Sequence, residues 1–82
     1  MDPRLSAARK RIDAIDARLA ALLARRFAIA AGLGAYKKAV TDKAREKAVL
    51  ARAAKAAGRR YSADVRAVFA CVIGRSKGLQ RK

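Results

Sequence analysis

The sequence predicts an all-α protein, a three-helix protomer with a long first helix that forms an intertwined homodimer. First, the composition is 54% hydrophobic, with much of it alanine, and only 5% aromatic. That inventory favours helices over strands, which prefer β-branched and aromatic residues. Second, the single proline, Pro3, lies near the N-terminus and leaves the rest of the chain free to be helical. Third, apolar residues recur at helical spacing in three stretches.

The first helix is predicted over residues 5–38. Its apolar residues resemble the a and d positions of a heptad, interrupted by Arg26, and are Leu5, Ile12, Ile15, Leu19, Leu22, Ile29, Leu33 and Tyr36. Gly32 and Gly34 weaken the helix by about 1 kcal/mol each relative to alanine. Both glycines could mark a break in the helix, but because the apolar stripe keeps its phase through them, we interpret them as sites of close backbone packing.

The length of this helix predicts the homodimer. At about 1.5 Å per residue the helix extends about 50 Å. A compact chain of this size has a radius of gyration of about 12 Å, and hence a diameter of roughly 30 Å. The far half of the helix therefore needs cover, and a second copy of the chain is the simplest source.

Two further helices, over residues 42–57 and 63–80, complete a single domain, residues 1–82. Thr41 is predicted to be the N-cap of the second helix, with Asp42 in its first turn and Gly58 at its end. Ser62 is predicted to cap the third helix. The faces that we expect to be buried comprise Glu46, Val49, Leu50, Ala53 and Ala57 in the second helix and Val65, Phe69, Val72, Ile73, Ser76 and Gln80 in the third.

The formal net charge of +15 is compatible with solvated helix faces, a nucleic-acid-binding surface, or a field that attracts a small anion into a cleft. Nucleic acid is disfavoured as a partner because the basic residues are scattered and no aromatic residues are interleaved with them.

The longest apolar stretch, residues 27–36, is too short for a membrane span, and the N-terminus lacks the core of a signal peptide. Cys71 is the sole cysteine, so we expect no disulfide framework, no thiol metal site and a cytoplasmic protein.

Five polar residues lie on the apolar stripes: Arg26, Lys37, Glu46, Ser76 and Gln80. Burying such groups without partners costs several kcal/mol, so together they predict one polar pocket for a small anionic molecule. Three of these residues also have a simpler interpretation. Glu46 could pair with its neighbours on the same helix, Ser76 could bond the carbonyl four residues earlier, and Gln80 could be a frayed end.

The spacing of the basic residues on the first helix separates Arg9 from the others. Arg26 and Lys37 are 11 residues apart and point the same way on a continuous helix, about 16 Å apart. Arg9 lies 17 residues before Arg26, about 25 Å away and rotated by about 100°. It is therefore either a surface residue or one that an antiparallel partner helix brings to the site.

The ordered set of residues resembles the all-helical, or type II, chorismate mutases over nearly the whole chain. The segments that carry the resemblance are Ala8-Arg9-Lys10-Arg11-Ile12-Asp13-Ala14-Ile15-Asp16, then Leu19, Leu22-Leu23 and Arg25-Arg26, then Gly34-Ala35-Tyr36-Lys37, then Asp42 with Arg45-Glu46-Lys47, and Ser76 with Gln80. The resemblance implies a homodimer with two equivalent active sites. It also implies the rearrangement of chorismate to prephenate, in aromatic amino acid biosynthesis, without a metal or cofactor.

The same resemblance implies which residues hold the substrate carboxylates. Arg26 and Arg45 would bind them, with Ser76 assisting, and Arg9 would come from the other subunit. The reaction is pericyclic and needs charged groups that fold the substrate rather than a nucleophile or a base.

The resemblance also implies which residues bind the ether oxygen and the ring hydroxyl of the substrate. Lys37 and Gln80 would donate to the ether oxygen, where negative charge grows as the bond breaks. Glu46 and the backbone at Asp42 would bind the ring hydroxyl.

The chain departs from the family pattern at two places, and two other functions stay open. Four residues separate Lys37 from Asp42, where many relatives have a longer loop, and Lys77 and Gly78 replace a more apolar segment. An enzyme completed by an activating partner enzyme is compatible with both departures. The alternatives are an isochorismate-pyruvate lyase on the same scaffold and a basic helical nucleic-acid binder.

Overall fold

The computed structural model describes residues 2–36, 39 and 41–81. Three helices follow one another along the chain: α1 (Pro3–Leu33), α2 (Lys43–Ala57) and α3 (Ser62–Gln80). No strand occurs in the described ranges, so the predicted all-α fold of three helices is confirmed.

The start of α1 is fixed by a capping aspartate. The Asp2 carboxylate accepts a hydrogen bond from the Arg4 backbone N–H at 2.8 Å, and Pro3 occupies the first turn, where its missing N–H is not needed. The side chain of Arg4, and then its backbone, hold the pKa of the Asp2 carboxyl below its ordinary value.

The end of α1 differs from the prediction. The helix ends at Leu33 rather than at residue 38, and the chain turns there, with the Tyr36 N–H donating to the Leu33 carbonyl at 2.9 Å. Gly32 and Gly34 lower the helical propensity of this segment. A Cβ on Gly34 would lie 2.5 Å from the Gln80 carbonyl oxygen, whereas one on Gly32 would meet nothing within 4 Å. The prediction of close backbone packing is therefore correct at Gly34 and wrong at Gly32 within the protomer.

The N-caps of α2 and α3 also differ from those predicted. Asp42, not Thr41, caps α2, and its carboxylate accepts from the Arg45 backbone N–H at 3.0 Å. An Asp is the better cap because its carboxylate also complements the helix dipole. Tyr61 precedes α3 without a side-chain cap, since the Ser62 hydroxyl donates instead to the Arg59 carbonyl at 3.3 Å.

The turn between α2 and α3 depends on a glycine. Gly58 ends α2 with φ of 82°, a conformation that a side chain would disfavour, and its N–H donates to the Lys55 carbonyl. It is the one positive-φ residue in the described part of the chain. This turn lets α3 fold back along α2.

Helix α3 is the central element, because it packs against both α1 and α2, while α1 and α2 do not pack on each other. The buried residues lie where the C-terminal half of α3 meets the C-terminal half of α1: Ala30, Val72, Ile73 and Ser76. The predicted faces of α2 and α3 are at least half-buried throughout.

The apolar stripe of α1 is the exception. Ile12, Ile15 and Leu22 are 55%, 62% and 57% exposed, so this stripe has no cover within the protomer. The molecule is accordingly elongated, 54 × 26 × 14 Å, with a radius of gyration of 15.8 Å against the roughly 12 Å of a compact chain. None of the described helices combines the length and the hydrophobicity that a membrane span requires.

Candidate active site

A cavity of about 200 Å³ lies between α1, α2 and α3 at the buried end of the protomer. Its walls mix apolar and polar groups, and the polar ones are Arg26, Asp42, Arg45, Glu46, Ser76, Lys77 and Gln80. The apolar ones are Ile29, Ala30, Leu33, Val49 and Ile73. A few convergent polar groups on an apolar wall are typical of small-molecule sites.

The best-defined polar contact in the cavity joins α1 to α3. The Arg26 guanidinium donates to the Ser76 hydroxyl at 2.7 Å, and that hydroxyl donates to the Val72 carbonyl at 2.8 Å. Ser76 is only 5% exposed, and both of its hydroxyl bonds stay inside the protein. The chain of bonds fixes the direction of the Arg26 side chain, which is half-buried.

Helix α2 contributes its first turn to the opposite wall. The Asp42 cap orders that turn, which places Arg45 and Glu46 at the cavity. Within the described residues neither Arg26 nor Arg45 forms an ion pair with a carboxylate. Two guanidinium groups without carboxylate partners on one cavity are suited to binding an anion, because Arg donors match the geometry of carboxylates.

Glu46 reaches across the cavity to α3. Its carboxylate lies 3.1 Å from the Lys77 ammonium, and the two side chains are 26% and 25% exposed. The interpretation that Glu46 is held by neighbours on its own helix is therefore wrong, because its partner comes from α3.

The end of α3 closes the cavity against the end of α1. Gln80 lines the cavity and is half-buried rather than frayed. Its backbone lies against Gly34, which has no side chain to obstruct that approach.

The structure brings together six of the eight residues that the sequence places in the site: Arg26, Asp42, Arg45, Glu46, Ser76 and Gln80. Lys37 lies outside the described residues, and its alignment with Arg26 assumed a helix that in fact ends at Leu33. Arg9 is exposed and does not line the cavity of its own chain, about 25 Å along α1 from Arg26.

Two basic residues beside the cavity were not predicted. Lys77 follows Ile73 by four residues and so lies on the buried side of α3, a signal that helical periodicity contains. Arg52 joins Arg26 and Arg45 in a shallower depression next to the cavity. It follows Arg45 by seven residues, which places both on one side of α2.

A family model described as chorismate mutase type II matches residues 8–81. No curated protein and no solved structure matched the chain. The family match covers all three helices almost completely and includes every described residue that lines the cavity.

Proposed function

This chain belongs to the type II chorismate mutase family, and from that premise we propose that it catalyses the rearrangement of chorismate to prephenate, the branch step toward phenylalanine and tyrosine. The observation that carries the proposal is the cavity in which Arg26, Arg45 and Ser76 meet. These are the residue types that a dicarboxylate substrate requires, at the positions that the family resemblance assigns.

In the proposed reaction Arg26 and Arg45 each bind a substrate carboxylate. Their role is to hold a flexible molecule in the folded conformer that reacts, which lowers the entropic part of the barrier. The hydrogen bond from Arg26 to Ser76 supports this role, because it orients the guanidinium before the substrate arrives. The apolar wall, which includes Val49 and Ile73, would pack against the substrate ring.

The reaction breaks the carbon–oxygen ether bond and forms a carbon–carbon bond within one molecule. No proton is transferred, so no general base or nucleophile is needed, in keeping with a chain that has no histidine. Negative charge grows on the ether oxygen, and we propose that Gln80 and Lys37 donate to it. Glu46 would accept the hydrogen bond of the ring hydroxyl, and the backbone at Asp42 would also bind that hydroxyl.

The homodimer is part of this proposal. The protomer exposes 6926 Å², whereas a compact monomer of 8.8 kDa exposes about 4,800 Å². The extra exposed surface of the protomer is comparable to the area that a large, obligate dimer interface covers. The uncovered stripe of α1 is the surface that a second copy would bury, as the helix length predicts.

A second copy would also complete the site. Arg9 lies in the half of α1 that overhangs the protomer, far from its own cavity. An antiparallel α1 from a partner copy would carry its Arg9 toward the cavity of the first. We propose that the active unit is a cytoplasmic dimer with two such sites, which an activating partner enzyme could complete over the short connection between α1 and α2.

The experiment that tests the function is a turnover assay of the purified protein with chorismate, in which prephenate and pyruvate are quantified separately. We expect prephenate. Arg26→Ala should lower kcat/KM by about 10²–10³, the usual cost of one preorganised donor. Arg25→Ala is the matched control, because Arg25 is the exposed neighbour on the same helix and should leave kcat/KM near the parent value.

Three results would contradict the assignment in different ways. Pyruvate release, from chorismate or isochorismate, would move the chain to the lyase alternative. An equal decrease in kcat/KM in Arg25→Ala and Arg26→Ala would mean that the net charge, not the cavity, controls the activity. No turnover by a folded dimer would refute the proposed activity for the isolated chain.

A further inference from the structure

The ion pair between Lys77 and Glu46 links α3 to α2 across the proposed active site. The two charged groups are 3.1 Å apart, and both residues line the cavity. Each side chain is about three-quarters covered by protein, so the pair is less screened by solvent than a surface pair. It is the one ion pair between helices in the part of the chain that the structure describes.

The choice of partner is informative, because other cations are closer to Glu46 along the chain. Lys43 and Lys47 flank it on α2, and Lys43 stands three residues before it, within reach on a helix. Both are exposed, and neither forms an ion pair with Glu46. The carboxylate is therefore directed toward the cavity and α3 rather than along the surface of α2.

We propose that Lys77 is a positioning residue of the active site, which acts through Glu46 by holding its carboxylate where the ring hydroxyl of the substrate can donate to it. The inference rests on the proposed function and adds to it a residue that the family resemblance does not assign. It also explains why a charged residue occupies a position on the buried side of α3.

The physical basis is preorganisation. A free glutamate side chain samples many rotamers, and a substrate that had to order it would bind more weakly. The ammonium of Lys77 selects one arrangement in the empty site, so the acceptor is in place before the substrate enters. One carboxylate has several acceptor positions, so Glu46 can bind the ammonium and a hydroxyl together.

The test is Lys77→Met, which removes the ammonium but keeps a straight side chain that suits a helix. We expect KM for chorismate to rise roughly 5- to 30-fold, with kcat within about twofold of the parent value. The reason is that the ring hydroxyl forms and breaks no bond in the reaction, so its interaction with Glu46 has similar strength in the ground and transition states. A purely structural defect would instead reduce the active fraction, which lowers apparent kcat and leaves KM unchanged.

Two further variants identify Glu46 as the intermediary. Lys77→Arg keeps the positive charge and should restore KM to near the parent value. The double variant Glu46→Gln with Lys77→Met should have the same KM as Glu46→Gln alone. Once the carboxylate is gone, Lys77 has nothing to position, so its removal costs nothing more. Lys47→Met is the matched control, since it removes the same charge from an exposed position next to Glu46.

The outcomes separate this inference from the function on which it rests. Three results would overturn the role of Lys77 while the parent still makes prephenate. The first is an unchanged KM in Lys77→Met, and the second is an equal rise in KM in Lys47→Met. The third is a double variant whose KM rises by the product of the two single effects. A folded parent protein that does not convert chorismate would overturn both proposals.

Discussion

Ser76 links two helices through a single hydroxyl. The sequence left two interpretations open for this residue, a bond to the carbonyl four residues earlier and a contact in a shared pocket. Both occur together, because the hydroxyl donates to the Val72 carbonyl and accepts from Arg26. A hydroxyl can do this because it has one proton and two lone pairs. The local bond thus orients the oxygen for the long-range one.

Gly34 is the residue whose lack of a side chain has the clearest effect on the site. Its Cα faces the backbone of Gln80, and a Cβ there would lie 2.5 Å from the carbonyl oxygen. We expect Gly34→Ala to destabilise the protein by about 1–3 kcal/mol, the usual cost of overpacking, or to displace the last turn of α3. Displacement would move Gln80 and lower kcat. Thermal unfolding and turnover of chorismate would be measured together.

Gly32→Ala is the matched control for that substitution. Gly32 lies two residues earlier, within α1, and a Cβ there meets nothing within 4 Å. Alanine should therefore stabilise α1 by up to about 1 kcal/mol and leave turnover unchanged. If both substitutions had the same effect, the contact with Gln80 would not control this region.

At the level of elements, the first turn of α2 and its cap supply three of the seven polar residues that line the cavity. Arg45 and Glu46 both belong to this turn, and the Asp42 carboxylate holds it by accepting from the Arg45 N–H. A helix end without a cap frays, because its first N–H groups have no acceptors. The binding residues on α2 are therefore only as ordered as the cap that precedes them.

Asp42→Ala tests this dependence. Loss of a capping side chain costs about 1 kcal/mol, which lowers the midpoint of thermal unfolding by roughly 4–8 °C in a domain of this size at fixed protein concentration. KM for chorismate should rise as well, because Arg45 and Glu46 lose their fixed positions. Asp42→Asn should keep most of the stability, since Asn caps as well as Asp. Equal destabilisation by both variants would show that the charge of Asp42, not its cap, is what matters.

At the level of the whole molecule, the distribution of exposure divides the protomer into two parts. The buried apolar residues, Ala30, Val72 and Ile73, all lie at the end that contains the cavity, whereas the stripe along α1 is open to solvent from Leu5 to Leu33. Soluble monomers rarely expose apolar surface this continuous. The proposed homodimer would account for both the elongated shape and the proposed position of Arg9.

Ile15→Glu tests the dimer, because it places a charge in the centre of the exposed stripe. We expect the parent protein to have a molar mass of about twice 8.8 kDa in light scattering, and Ile15→Glu to shift it toward the monomer and to lose turnover. Ala17→Glu adds the same charge two residues later, about 200° around the helix and also exposed, and should remain dimeric. A monomeric parent protein that is fully active would contradict the proposed assembly.

Much of the fold could be predicted because helical periodicity is a local property. The three helices, the faces of α2 and α3, and the polar residues on those faces all follow from residue types at fixed spacing. The end of α1 was predicted too far along the chain, because a stripe that keeps its phase does not reveal where two glycines allow the backbone to turn. The caps were misassigned because adjacent residues such as Thr41 and Asp42 both qualify chemically.

The sequence by itself determined the fold class, the excess of positive charge and the inward direction of four polar side chains, Arg26, Glu46, Ser76 and Gln80. Composition sets the first two, and periodicity along each single helix sets the third. Only the tertiary structure decided that Arg26 bonds Ser76, that Glu46 pairs with Lys77 rather than with Lys43 or Lys47, and that Gly34 meets the end of α3. These contacts join residues 31 to 50 positions apart, or elements that meet only after folding. Their geometry depends on how the helices cross, which no local pattern specifies.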